Sequence, residues 1–174
     1  GDAIIVGKTE RTVKRNIANL VESMAGNAFK PVYGEGEAWF GQRRIYLVGA
    51  NDAQAEGKIR GGTYAYAYVD EATLIPEDFI KMLLSRLSVT GAQLTMTTNP
   101  DTPYHWLKTE MLDNPEVDIK VWHFTLDDNS NLDPADGENL KKEYTGVWYE
   151  RFILGNWVAA EGRIWDNFTR ENNV

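Results

Sequence analysis

The sequence predicts an α/β protein built on a mostly parallel sheet with flanking helices. Three observations carry that reading. A short apolar run, Ala3-Ile4-Ile5-Val6, is followed almost at once by a segment whose apolar residues recur three or four apart. A second run, Thr63-Tyr64-Ala65-Tyr66-Ala67-Tyr68-Val69, is largely apolar on both faces, as a strand covered by helices on both sides requires. A third strand pattern at 93–98 comes after an intervening helical one and stops at Asn99-Pro100.

Taken in order, the first run is a buried strand closed by Gly7. Positions 10–25 then form an amphipathic helix: Val13, Ile17, Leu20, Val21 and Met24 share one face, while Arg11, Lys14, Arg15 and Glu22 occupy the other. Thr9 or Thr12 caps its start and Gly26-Asn27 stops it. Positions 35–39, 44–48 and 52–59 read as a strand-rich excursion with glycine turns, broken at Gly61-Gly62. In the tyrosine–alanine strand, Tyr64, Tyr66 and Tyr68 face one way and Ala65, Ala67 and Val69 the other. A helix from Pro76 to about position 87 buries Phe79, Leu83 and Leu84. Positions 104–112 are helical, 119–124 form another strand, and Asp127 and Asp128 shape a solvated loop. Two short helices, at 136–144 and 147–154, are separated by Gly146, with Trp148, Phe152 and Trp157 packing between them. The tail is aromatic and loop-like.

Composition bounds the functions open to these 174 residues, of which 43% are hydrophobic and 25% charged. There is no cysteine, which excludes disulfides and cysteine–metal sites, and the two histidines, His105 and His123, are too few for a histidine-rich zinc centre. With 18 basic against 26 acidic residues the net charge is −8, which argues against a broadly basic nucleic-acid surface. No apolar run reaches the roughly 18–20 residues of a membrane helix. Charged residues from Lys8 to Arg15 interrupt the opening, so a secretory leader is not expected there. Gly1 without a preceding Met points to a processed tag or a fragment boundary.

The chemistry concentrates at strand ends. Gly7-Lys8-Thr9 resembles the end of a phosphate loop, but the leading glycine of that motif would fall at position 2, which is Asp. Ile4-Ile5-Val6, where the loop should wrap the phosphates, are already strand. Lys8 is therefore read as a solvated residue. Asp70-Glu71, leaving the tyrosine–alanine strand, suits a nucleotide triphosphatase: one carboxylate holds Mg²⁺ and its neighbour orients or deprotonates the attacking water. Alone, such a pair equally marks a strand reaching solvent. Thr97, Thr98 and Asn99 end the next strand, and in a parallel sheet both ends lie at one edge. There they sense a γ-phosphate or, on the plainer reading, cap the following loop. Arg60, before Gly61-Gly62, is either an arginine directed at phosphoryl charge or a surface ion pair.

Together, Arg60-Gly61-Gly62, Tyr68-Val69-Asp70-Glu71-Ala72 and Thr97-Thr98-Asn99-Pro100 resemble the ATPase domain of the large subunit of tailed-phage terminase. Tyr104-His105-Trp106-Leu107, Asn131-Leu132-Asp133-Pro134, the run from Gly146 through Trp157, and Glu161-Gly162-Arg163-Ile164-Trp165 with Phe168 extend the resemblance over nearly the whole chain. It implies a P-loop NTPase-like fold of the ASCE type and a motor that uses ATP and Mg²⁺ to drive double-stranded DNA into a procapsid in the host cytoplasm. The implied partners are the portal protein, the small terminase subunit and other large subunits, with no membrane. By position, Asp70 is the Mg²⁺ acid and Glu71 the water-activating residue. Thr97, Thr98 and Asn99 match the coupling motif, and Arg60 matches a proposed arginine finger acting on a neighbouring subunit.

Two departures shape the expectation. The phosphate loop belongs upstream of the first strand and is not within these residues, while the nuclease carboxylates belong downstream, so Asp166 is not assigned as a metal ligand. The sequence is accordingly read as an incomplete ATPase domain at 1–157 (α/β core to about 124, lid-like helices at 125–157), with 158–174 as a linker toward a nuclease domain. Such a fragment should bind ATP poorly, hydrolyse it negligibly, and expose a sheet edge. A helicase-like NTPase fragment and a non-enzymatic acidic α/β interaction module are the alternatives.

Overall fold

The structure, a computed structural model, describes residues 1–32, 34–51 and 54–160. The chain divides into two compact units, Gly1–Asn99 and Pro100–Val174.

The first unit holds six strands: β1 (Asp2–Gly7), β2 (Phe29–Val32), β3 (Glu37–Phe40), β4 (Arg43–Gly49), β5 (Tyr64–Val69) and β6 (Gln93–Met96). Their spatial order is β2-β3-β4-β1-β5-β6. β4, β1, β5 and β6 run parallel, and β2 and β3 add an antiparallel meander at one side. The mixed α/β sheet with flanking helices thus agrees with the expected class. β1 lies inside the sheet, and Ala3, Ile4, Ile5 and Val6 are all buried. Alternation sends Ala3 and Ile5 into a cluster with Val13, Ala18, Phe29, Ala38, Ile45 and Leu47, to which Tyr66 and Tyr68 add. Ile4 and Val6 face the other way and pair in register with Ala67 and Val69, all four fully buried.

The helix expected at 10–25 forms with an irregular middle: α1 (Glu10–Val13), a π turn (Lys14–Ala18) and α2 (Asn19–Ala25). Thr9 is its cap, accepting from the Thr12 amide at 3.0 Å, and Gly26 ends it at φ 54°. The π turn inserts an extra residue and rotates the helical turns after it. Ile17 and Val21 therefore pack on the core, whereas Leu20 and Met24, expected on the same stripe, are 55% and 80% exposed.

Other elements depart from the sequence reading. Residues 55–59 are not strand but a short helix, α3 (Ala55–Ile59), buried through Ala55 and Ile59. β2 was not expected, because Lys30 and Pro31 interrupt its apolar pattern. Its outermost place in the sheet is where a proline, lacking an amide donor, is tolerated. α4 (Glu77–Arg86) comes after Pro76 and buries Phe79, Ile80 and Leu83, with Leu84 turned outward.

In the second unit a π turn covers Leu107–Leu112, a single 3-10 turn covers Leu126–Asp128, and two helices come next, α5 (Pro134–Glu143) and α6 (Gly146–Phe152). Asp133 caps α5 with Pro134 in its first turn. Residues 119–124 form no ladder, contrary to expectation: they alternate but have no partner strand among the described residues, and Val121, Trp122 and Phe124 stay exposed. Trp148 and Phe152 stack one turn apart on α6, 5.4 Å between centroids. Trp157 instead pairs with the His105 ring at 6.2 Å. The motif at 161–165, Asp166, Phe168 and most of the linker assigned to 158–174 lie outside the described residues.

Candidate functional site

β5 and β6 pair in register up to Val69 and Met96, so the residues just beyond them emerge side by side at the carboxyl edge. Backbone bonds extend the pairing past both strands. The Thr97 amide donates to Val69 O at 3.0 Å and the Ala72 amide to Thr97 O at 2.8 Å, while the Asp70 amide reaches Val6 O on β1 at 2.8 Å. The three strand ends are tied into one platform, and the expected juxtaposition of Asp70-Glu71 with Thr97-Thr98-Asn99 is present.

The side chains divide the work. Thr97 Oγ1 donates to Asp70 Oδ1 at 3.1 Å. The Tyr68 hydroxyl lies 3.1 Å from Thr97 Oγ1 and 3.4 Å from Asp70 Oδ1. Burial pushes the Tyr68 phenol above its ordinary pKa; the hydrogen bond to Thr97 opposes this and the nearby Asp70 carboxylate adds to it. The phenol is therefore a proton donor at neutral pH. Thr98 turns to the other side: its hydroxyl accepts from the Thr73 amide at 3.2 Å and meets Thr73 Oγ1 at 2.9 Å. Thr73 Oγ1 also donates to Asn99 O at 3.4 Å. Thr73 sits in the 3-10 turn Ala72–Leu74 immediately after the carboxylates.

Glu71 has φ 51° and ψ 57°, left-handed backbone; among the described residues every other positive φ belongs to a glycine. For a residue with a Cβ this conformation costs about 1–2 kcal/mol, and such strain collects at functional sites. Here the bonds from Asp70 N and Ala72 N on either side hold it in place.

At the same edge, Lys8 Nζ donates to Leu74 O at 3.3 Å. Gly7-Lys8-Thr9 is a strand end passing directly into the helix cap, with no room for a phosphate-wrapping loop. Gly49 marks how tightly this edge is built: a Cβ there would lie 2.4 Å from the Glu10 amide nitrogen.

Arg60 is not brought to the carboxylates. It comes after α3 and leads into the amino end of β5, whereas Asp70 and Glu71 leave the carboxyl end, and its guanidinium lies 3.9 Å from Glu56. A recess of about 580 Å³ lined by Gly1, Asp2, Phe40, Gln42 and Arg43 includes none of the candidate site residues.

No cluster of three or more His, Cys, Asp or Glu among the described residues is placed to hold a metal. Adjacent carboxylates beside a hydroxyl do fit Mg²⁺, which takes one or two protein carboxylates and fills its octahedron with water and substrate phosphate. Sequence reasoning found the carboxylates and the hydroxyl run. It missed Tyr68 and Thr73 as their partners, although alternation along β5 places Tyr68 on the Asp70 side.

Carboxylates leaving one parallel strand beside hydroxyls leaving the next lie at the carboxyl edge, where open α/β sheets bind their ligands. Residues 2–172 match the family described as terminase large subunit, T4likevirus-type, N-terminal. The large terminase of a thermophilic bacteriophage, in its second crystal form, superposes with a TM-score of 0.84 at 35% identity, covering 98% of this chain and 44% of that one. The same terminase in complex with ADP gives 0.83 at 35% identity over 98% and 44%. In complex with ATP-γ-S it gives 0.80 at 35% identity over 98% and 43%. No curated protein sequence matches. The chain belongs to the terminase large-subunit family, and it spans less than half the length of the terminases it resembles.

Proposed function

We propose that residues 1–174 form the carboxylate half of the ATP site in a motor that drives double-stranded DNA into a procapsid in the host cytoplasm. The observation that carries this reading is the Thr97–Asp70 hydrogen bond joining two parallel strand ends within a fold 35% identical to a terminase complexed with ADP and ATP-γ-S. Mg²⁺, when bound, supplies charge neutralisation at the β- and γ-phosphates. Asp70, whose Oδ1 accepts from Thr97, would hold the cation directly or through a water. Glu71 takes the proton of the attacking water as its oxygen bonds to the γ-phosphorus and the bond to the β-phosphate oxygen breaks, releasing ADP. Thr97, Thr98 and Asn99 relay the nucleotide state through Thr73 to the turn just after Glu71. Arg60, at the other end of β5, serves the ATP of a neighbouring large subunit.

On this reading the parallel strands belong to an ASCE-type P-loop fold. A strand carrying the phosphate loop pairs with the open side of β6, whose residues are alternately exposed and half-buried. Residues 125–157 act as lid-like helices and 158–174 lead toward a nuclease domain. The portal protein, the small subunit and DNA are partners of the longer protein. Residues 1–174 contain no glycine-rich phosphate loop, so hydrolysis needs that longer protein. The test is ATP turnover by the complete polypeptide, by residues 1–174 alone, and by complete Glu71→Gln and Asp70→Ala variants. Turnover by the complete protein alone supports the reading, whereas full activity in Glu71→Gln sinks it.

A further inference from the structure

We propose that Tyr68 is a positioning residue for the Asp70 carboxylate, acting through Thr97; the inference rests on the reading of Asp70 as the Mg²⁺ acid. Tyr68 and Asp70 are two apart along the β5 direction and so lie on one face. Tyr68 is in register with Thr95, which makes Thr97 its diagonal neighbour across the strand pair. The three polar atoms close a triangle with sides of 3.1, 3.1 and 3.4 Å. A phenol has one proton to give and a threonine hydroxyl has one. The assignment that uses both shorter sides is Tyr68 to Thr97 and Thr97 to Asp70 Oδ1. Thr97 then has a fixed rotor, Oδ1 is committed, and Oδ2 is left with a set direction.

Nothing in the packing requires the hydroxyl. Tyr68 adds to the core with its ring, a task phenylalanine performs equally. Partners that orient a metal-binding carboxylate typically cost about 10–100-fold in metal affinity when removed.

The test uses the complete protein with ATPγS and Mn²⁺ as the probe ion, its binding followed by electron paramagnetic resonance. Tyr68→Phe and Thr97→Val each weaken Mn²⁺ binding about tenfold, while Thr97→Ser, which keeps the hydroxyl, restores it. The double variant loses no more than either single, because both remove one relay. In turnover by Tyr68→Phe the metal concentration for half-maximal rate rises while kcat at saturating metal stays near that of the parent, and its melting temperature is unchanged. Parent-like Mn²⁺ affinity in Tyr68→Phe, or losses that multiply in the double variant, overturn the proposal while Asp70→Ala still abolishes binding. Parent-like affinity in Asp70→Ala overturns the reading of the site itself, and the proposal with it.

Discussion

Thr98 and Thr73 meet hydroxyl to hydroxyl at 2.9 Å, and the Thr73 amide donates to Thr98 Oγ1 at 3.2 Å. The pair links the end of β6 to the turn just after the two carboxylates, so displacement of one strand end is felt at the other.

Thr98→Val removes this link. An exposed hydrogen bond of this kind contributes about 0.5–1.5 kcal/mol, so global stability changes little. The Thr73 amide, deprived of its acceptor, exchanges its proton several-fold faster by hydrogen-exchange mass spectrometry. In the complete protein ATP turnover persists while DNA packaging per ATP falls.

Glu71 is strained by its backbone, and the strain separates stability from activity. Glu71→Gly relieves the left-handed conformation and raises the unfolding free energy by up to about 1 kcal/mol, after allowing for the greater freedom of glycine in the unfolded chain. Glu71→Gln leaves stability unchanged. Both variants lose hydrolysis. Urea denaturation of all three proteins, read beside their turnover rates, distinguishes the two effects.

Two glycines give opposite responses to alanine. At Gly49 the new Cβ falls 2.4 Å from the Glu10 amide nitrogen, forcing β4 away from the start of α1 at about 1–3 kcal/mol. At Gly57, inside α3, nothing lies within 4 Å, and alanine stabilises by up to about 1 kcal/mol through helix propensity. Midpoints of chemical unfolding should move in opposite directions for the two variants.

Arg60 offers a test by mixing. If it serves a neighbouring subunit, complete Arg60→Ala and Glu71→Gln proteins are each inactive, yet mixed assemblies regain part of the turnover, because some sites pair an intact carboxylate with an intact arginine. No recovery at any mixing ratio would return Arg60 to its surface pairing with Glu56.

The Thr125 amide and hydroxyl both hydrogen bond to Asp128 and hold its carboxyl below the usual range. A lowered folded pKa means the contribution is complete above the unfolded carboxylate value and is lost as the pH falls through the depressed one. The Thr125 amide resonance should therefore shift in that acid window, and Asp128→Asn should abolish the titration.

The sequence reveals β1 and β5 as apolar runs shaped by burial and β6 as an alternating stretch stopped by Asn99-Pro100, and their parallel pairing places the two polar clusters together. It conceals β2 and α3, where Pro31 and Gly57 argue against elements that sheet position and core contacts impose. It misleads at 119–124, where alternation is present but no partner strand lies among the described residues. Asp70, Glu71 and Thr97 stand out by position at strand ends. Thr73 does not, because its bond to Thr98 spans 25 residues and depends on side-chain geometry that no local pattern encodes.

The π turn at Lys14–Ala18 makes the helix one residue longer than its two ends require. Deleting one residue there would restore regular α geometry and leave the 19–25 half facing as it does, because the π turn already absorbs the extra residue. Val21 would stay on the core, whereas straightening the turn without a deletion would rotate this half by about 100° and bring Leu20 and Met24 toward the sheet. Whether the helix keeps its π turn is thus as much a determinant of which side chains face the sheet as their chemistry. A single-residue gap in this stretch of an aligned sequence should be read as loss of the π turn, with the apolar positions after it still facing the sheet.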